Sequence, residues 1–330
     1  MYETNFHQQD ISNTTFLVTG GAGFIGSNIV NYLLSFGVKK VRVIDNLSNS
    51  SGENLNPFKS HSNFEFVKGD ISNYDDCLKA TKGIDFISNQ AALGSVPRSL
   101  ANPIATNNAN VVGFLNMITA ARENKVKRVV YASSSSVYGD SQKMPKIESE
   151  IGSPLSPYAV SKYTNELYAK VSHLSYGQEI IGLRYFNIFG PNQSPDGAYA
   201  AVIPLFIEAL LKNQSPFING NGLQSRDFTY VENAVQANIR ALFTENEKAL
   251  GEVFNVAVGE NYSLNELFNL IKSGTGATVS AVHREERAGD VKNSLADITK
   301  AVELLDYKPQ VRFQEGIERT IEWFKNKNSK

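Results

Sequence analysis

Short apolar runs alternate with longer segments whose apolar residues return every three or four positions, from residue 15 to about residue 185. The runs at 15–19, 41–44, 64–67, 84–88, 128–133 and 179–185 are rich in Val, Ile, Phe and Tyr and read as strands. The intervening segments 24–36, 74–81, 103–124 and 156–176 repeat with the period of an amphipathic helix. Repeated strand–helix units require right-handed crossovers and a parallel sheet. The predicted class is α/β, a doubly wound sheet of Rossmann type whose site lies outside the carboxyl ends of the strands.

Beyond residue 190 the pattern loosens. Helices are expected at 202–212, 231–243, 264–272, 299–305 and 313–325, with a strand at 217–218. The division this predicts is a sheet domain over 1–190, preceded by a polar extension or short outer helix at 1–13, and a smaller region over 191–330 folded onto it. Neither an internal repeat nor a low-complexity linker separates the two.

Composition narrows the class. Of 330 residues, 42% are hydrophobic and 20% charged, as in globular proteins, and the net charge of -1 provides no basic excess for neutralising nucleic-acid phosphates. Cys77 is the single cysteine, and the four histidines are scattered, so neither a disulfide framework nor a metal site is expected. No run is long and apolar enough to span a bilayer, and the first fifteen residues lack a signal-peptide core, so a cytoplasmic location is the expectation.

Candidate chemistry begins where the first strand runs into Gly20-Gly21-Ala22-Gly23-Phe24-Ile25-Gly26. Gly20, Gly23 and Gly26 permit a tight turn and close backbone approach to a pyrophosphate, while Phe24 and Ile25 open a helix whose N–H groups face it. The second strand ends in Asp45, at the distance where an acid binds the adenosine ribose, so the expected cofactor is NAD rather than NADP. Asn46 to Gly52, including Ser50, form the loop beside that ribose. Asp70-Ile71 and Gln90-Ala91-Ala92 end the next two strands, where they border the cofactor; Asp70 is equally suited to capping a helix.

A second constellation follows the strand at 128–133. Tyr158 and Lys162 lie one helical turn apart on the same face. A fixed ammonium beside the phenol favours phenolate and predicts a lowered tyrosine pKa, making Tyr158 a base. The serine run Ser133 to Ser136 precedes them. Leu167, Val171 and Leu174 on the same helix suit packing or a subunit interface.

These motifs, together with Arg184 to Gly190, Ser225-Arg226-Asp227-Phe228 and Arg287-Ala288-Gly289-Asp290, resemble in order the extended short-chain dehydrogenases/reductases that act on nucleotide-diphospho-sugars. Among these, the chain is most similar to bacterial UDP-N-acetylglucosamine 4-epimerases. The resemblance implies Ser134, Tyr158 and Lys162 as catalytic residues, with Asn110 and Tyr185 added to the cofactor site. It implies a substrate site of Gly94, Ser95, Ser134, Ser135, Ser136, Asn187, Ala201, Val202, Ile218 and Asp290, with Arg226 and Arg287 at the diphosphate and Ser294 near the sugar C2 substituent. Surface ion pairing is the alternative for either arginine. A homodimer through helices 103–124 and 156–176 is implied as well.

The implied chemistry is removal of the C4 hydroxyl proton by Tyr158, hydride transfer from C4 to NAD⁺, rotation of the 4-keto sugar and return of the hydride to its other face. Related dehydratases and decarboxylases carry an acid after the catalytic Ser/Thr. Here Ser135 and Ser136 stand in those places, which disfavours both. A small Ser294 leaves room for an N-acetyl group. The C6 uronic acids, with Arg98 as a candidate partner, the non-acetylated sugars, a 4-ketoreductase and a non-catalytic NAD sensor remain open.

Overall fold

The computed structural model describes residues 2, 4–196, 200–286 and 293–328. In its first half, strands β1 (Thr15–Thr19), β2 (Lys40–Asp45), β3 (Phe64–Lys68), β4 (Phe86–Asn89), β5 (Arg128–Ser134) and β6 (Glu179–Tyr185) alternate with helices. These are α1 (Phe24–Ser35), α2 (Tyr74–Thr81), α3 (Val96–Ala101), α4 (Pro103–Asn107), α5 (Gly113–Glu123) and α6 (Pro157–Tyr176). The expected helix at 103–124 is one rod, with a π turn at Asn108–Val112 between α4 and α5. The short α3 before it was not expected. Its signals are local: Ser95 caps the Arg98 N–H and Pro97 sits in the first turn, before Asn102 and Pro103 restart the chain as α4.

The second half carries β7 (Ile188–Phe189), α7 (Val202–Leu211), β8 (Phe217–Asn219), β9 (Ser225–Arg226), β10 (Thr229–Tyr230) and α8 (Val231–Phe243). It continues with β11 (Val253–Val256), β12 (Tyr262–Ser263), α9 (Leu264–Thr275), β13 (Val282–Arg284), α10 (Thr299–Leu305) and α11 (Phe313–Asn328). Among the described residues the main sheet has seven parallel strands in the order β11-β6-β5-β4-β1-β2-β3. The edge strand β11 was not anticipated. It returns from the second half to pair Val253↔Gly182 through Val256↔Tyr185, so the chain crosses back over residue 190.

Strand alternation divides the core. Phe16 and Val18 pack on one face with α1, α8 and β11, whereas Leu17, Ile87 and Val129 pack on the other with α2 and α5. A third cluster, including Phe189, Phe206, Ile218 and Phe313, holds the second half together.

The N-terminal extension corrects the expectation of a polar outer segment. Its described residues are not helical; Phe6 and Ile11 are each only 2% exposed, and Phe6 stacks on Tyr32 with ring centroids 5.2 Å apart. The Phe6 N–H donates to the Tyr32 hydroxyl at 2.8 Å, which fixes this segment against α1. Phe6→Ala should therefore destabilise the fold by about 3 kcal/mol. A lower midpoint of urea denaturation at unchanged slope would measure that loss.

Candidate active site

A cavity of about 440 Å³ opens at the carboxyl ends of β1, β2, β4 and β5. Its floor is the turn between β1 and α1, where Gly20, Gly23, Phe24, Ile25 and Gly26 all line the space. Gly20 has φ +65°, and a Cβ there would lie 2.8 Å from the Ala91 backbone, so that turn requires glycine. At the start of α1 no side chain caps the helix, and no acid occupies its first turn. Its N–H groups therefore face the cavity as an anion site, which suits a pyrophosphate.

Asp45 also lines the cavity and accepts from the Ala22 and Leu47 N–H groups at 3.0 and 2.8 Å, which fixes the carboxylate above the turn. Asn46, Ser50, Asp70, Ile71, Gln90, Ala91 and Ala92 complete the nucleotide end. Ser50 donates to the Ala22 carbonyl at 2.8 Å. The cap of α2 is Asn73, which leaves Asp70 to accept from Ser72 and Asn46. Burial pushes the Asp70 carboxyl up, but those bonds outweigh it and hold the group below its ordinary value. This donor and acceptor set fits NAD: glycines and helix N–H groups for the pyrophosphate, and Asp45 for a ribose.

Two expected cofactor residues stand apart from the cavity lining. Gly52 serves the turn ahead of residues 53–58, with φ +81°. Asn110 is buried and gives its amide to Leu93, accepting from its N–H at 2.7 Å and donating to its carbonyl at 3.1 Å. It thereby holds Leu93, which does line the cavity.

At the opposite end of the cavity lie Ser134, Tyr158, Lys162 and Tyr185. The Lys162 Nζ is 5.9 Å from the centre of the Tyr158 ring and donates to the Ala132 carbonyl at 2.8 Å. The expected lowering of the Tyr158 pKa is not what the geometry produces. Burial raises it, with the neighbouring Ser134 hydroxyl acting in the other direction. Burial likewise drives the Lys162 ammonium down to about 8, partly opposed by the Glu166 carboxylate. The low-dielectric surroundings that exclude water thus oppose both charged forms.

Ser134 Oγ accepts from the Ser136 N–H at 3.2 Å and from the Ser136 hydroxyl at 2.9 Å. Ser136 is therefore spent on orienting Ser134; neither it nor Ser135 is among the lining residues. Tyr138 belongs to the core, with its hydroxyl donating to Asn255 at 2.7 Å.

A second cavity, of about 1000 Å³, adjoins the first and shares Asn187, Ile188 and Gln193 with it. Gly94 lines the first and Ser95 the second, so the turn into α3 also spans both. Ala201, Val202 and Arg226 line the second cavity, where Arg226 donates to the Ser225 carbonyl at 2.9 Å. Asn187, with φ +38°, donates to the Asp227 carbonyl at 3.0 Å.

Ile218 is a correction. It is 1% exposed and packed in the third core cluster, because alternation along β8 turns Phe217 and Asn219 to the cavity instead. Ser294 is 9% exposed, its N–H donates to the Ser225 carbonyl at 3.1 Å beside the strand that carries Arg226, and it is not among the lining residues. Arg287 and Asp290 lie outside the described residues. Arg98 donates to the side-chain carbonyl of Asn49, in the loop beside the first cavity.

Two lining residues had escaped sequence reading. Gln193 stands where the cavities meet; its buried Oε1 has no hydrogen-bond partner among the described residues, and its only signal was a polar residue after Gly190-Pro191. Arg284 stacks 4.5 Å from the Phe217 ring centre. It adds a guanidinium to the second cavity that no motif announced.

Residues 16–257 match the family described as the NAD dependent epimerase/dehydratase family. The chain is 42% identical to the solved UDP-N-acetylglucosamine 4-epimerase from Methanobrevibacter ruminantium, in complex with UDP-N-acetylmuramic acid. That superposition has a TM-score of 0.90 and covers 96% of this chain and 99% of the other. A putative UDP-glucose 4-epimerase of Methanocaldococcus jannaschii is 40% identical, over 94% of this chain and 99% of its own length. A UDP-glucuronate 4-epimerase of Thermodesulfobacterium geofontis is 34% identical, over 94% and 96%.

Proposed function

The chain belongs to the NAD-dependent epimerase/dehydratase family and is an isomerase of the UDP-sugar 4-epimerase class; from that premise we propose that it interconverts UDP-N-acetylglucosamine and UDP-N-acetylgalactosamine. The observation that carries the reading is the pair of cavities meeting at Asn187 and Gln193, with Ser134 and Tyr158 on the nicotinamide side and Arg226 on the nucleotide side. A UDP-sugar laid across that junction has its C4 at the phenol and its diphosphate at the guanidinium, which binds phosphate oxygens as a fork.

Held by the glycine turn and Asp45, NAD⁺ would supply the hydride acceptor and its reduced form the donor. Tyr158 takes the proton from the C4 hydroxyl as the C4–H bond breaks, and Ser134, set by Ser136, donates to the same oxygen. Asn187 and Arg226 hold the diphosphate while the resulting 4-keto sugar rotates about it. Tyr158 then returns the proton after hydride arrives on the other face. Oxidation and reduction cancel, so one tightly held cofactor serves every turnover.

The N-acetyl preference is inferred from the small Ser294, which the resemblance sets near the sugar C2 substituent and whose N–H bonds the Ser225 carbonyl next to Arg226, a residue of the second cavity. Ser294→Tyr is expected to shift the ratio of kcat/KM toward UDP-glucose by at least about tenfold, the scale of a steric pocket effect. An unchanged ratio would remove Ser294 from the argument. The direct test follows UDP-N-acetylglucosamine by NMR in the absence of added NAD. Formation of UDP-N-acetylgalactosamine supports the reading, while turnover of the uronate or non-acetylated sugar alone would replace it.

We infer a homodimer as well. Ile104 and Val112 on the rod through α4 and α5 are 74% and 38% exposed, and Leu167, Val171 and Leu174 on α6 are 51%, 54% and 70% exposed. Such an apolar stripe suits a four-helix contact with a second copy. Light scattering giving only a monomer mass would count against it.

A further inference from the structure

The Glu166 carboxylate is buried one turn beyond Lys162 on α6, with its side chain 6% exposed and that of its partner Arg184 3% exposed. Its Oε1 accepts from Arg184 Nε at 2.8 Å and from the Ser133 hydroxyl at 2.5 Å, and its Oε2 accepts from Arg184 Nη2 at 2.7 Å. Ser133 and Arg184 are register partners on β5 and β6, and the next pair along is Ser134↔Tyr185. Glu166 thus clamps the row of the sheet immediately before Ser134 and Tyr185, at Ser133, which itself lines the cavity. One turn earlier, Lys162 holds the Ala132 carbonyl. Successive turns of α6 therefore pin successive residues of β5, and the residue after the last pin is Ser134.

We propose that Glu166 is a positioning residue of the epimerisation, fixing the strand end that presents Ser134 and placing a buried negative charge one helical turn from the Lys162 ammonium. The inference rests on the reading of Tyr158 and Lys162 as the reacting pair. A buried ion pair is poor at stabilising a fold compared with apolar packing, so its presence beside the catalytic row calls for a reason other than stability. Three segments, α6, β5 and β6, are joined by a single carboxylate, and each carries a residue of the reacting cavity: Lys162, Ser134 and Tyr185.

Several charged or titratable groups surround the pair. Tyr158 shares α6; Tyr131 comes from β5, and Arg184 and Tyr185 from β6. Tyr138 follows β5, with the Arg184 guanidinium 4.9 Å from its ring centre. Glu148 accepts from Arg184 through its backbone carbonyl at 3.0 Å, and Glu252 precedes β11. The Glu166 charge supports the Lys162 ammonium against burial.

The test uses the NAD-loaded enzyme with lysine labelled by ¹³C at the ε carbon, the Lys162 signal being assigned by its loss in Lys162→Met. Glu166→Gln keeps an acceptor for Ser133 while removing the charge. Its Lys162 signal should titrate about one pH unit lower than in the wild type. In the sugar assay, kcat/KM should fall about tenfold above pH 8 and little at pH 6, while Glu166→Asp recovers part of the loss. An unmoved Lys162 titration in a folded variant overturns the proposal.

Glu166→Gln leaves Arg184 buried, so Glu166→Gln/Arg184→Met, which removes both charges, is measured beside it with the same expectation. Failure of both to fold would make Glu166 purely structural and likewise overturn the proposal. Because the titration needs no sugar, a wild type inactive on every UDP-sugar tested would defeat the functional reading while the NMR still decided the role of Glu166.

Discussion

Tyr158→Phe is expected to leave the protein folded, with NAD bound, and to lower turnover by about 10³-fold. Phenylalanine keeps the ring and its packing on α6 and removes only the oxygen that receives the C4 proton. Among the described residues at this end of the cavity, no other group can take over. The Ser134 hydroxyl is a donor held by two bonds from Ser136, and the Lys162 Nζ is engaged with the Ala132 carbonyl. Bound NAD in the purified variant, measured after denaturation, separates a lost base from a lost cofactor. Turnover within tenfold of wild type would assign the proton to another group.

The pH profile sharpens this prediction. Burial raises the Tyr158 pKa, so phenolate is scarce at neutral pH and its fraction grows with pH, whereas Lys162 keeps its charge only below about 8. The wild-type rate should therefore rise with pH to about 8 and then level, as gain of phenolate is offset by loss of ammonium. In Tyr158→Phe the residual rate should lack that rise.

Gly26→Ala should remove the cofactor. A Cβ at this position would meet the Gly20 carbonyl oxygen at 2.4 Å and the Gly21 Cα at 2.8 Å, both backbone atoms that no side-chain rotation can relieve. Either α1 shifts away from the turn or the turn opens, and in both cases the N–H groups facing the pyrophosphate are displaced. An overpacking cost of about 2 kcal/mol taken from cofactor binding corresponds to a roughly thirtyfold weaker affinity. The variant should purify depleted of NAD and regain activity only with added NAD⁺. At Gly23 the nearest contact is the same oxygen at 3.1 Å, so Gly23→Ala should retain more cofactor. Equal retention in the two variants and the wild type would mean that this turn tolerates a methyl group and does not bear on the pyrophosphate.

What the sequence determined by itself is local. A short apolar run and a period of about three and a half residues placed β1 and α2 at their observed bounds, because both patterns depend only on neighbours along the chain. The glycine turn was legible for the same reason: a strand, a positive φ and a helix start lie within a dozen residues. Tyr158 and Lys162 were readable as a pair because one helical turn joins them.

Tertiary structure decided what separated segments do to one another. The four residues of β11 carry too little pattern to announce an edge strand, and only pairing with β6 gives them one. Phe6 looked like part of a polar tail until Tyr32 offered it a ring to stack on. Gln193 and Arg284 became site residues only when β7, α7 and β8 closed around the second cavity. The direction of the Tyr158 shift also depended on the fold. Spacing along α6 brings the ammonium near the phenol, but packing removes water from both, and desolvation then outweighs their proximity. Periodicity is written residue by residue, whereas burial is a property of everything that packs around a group.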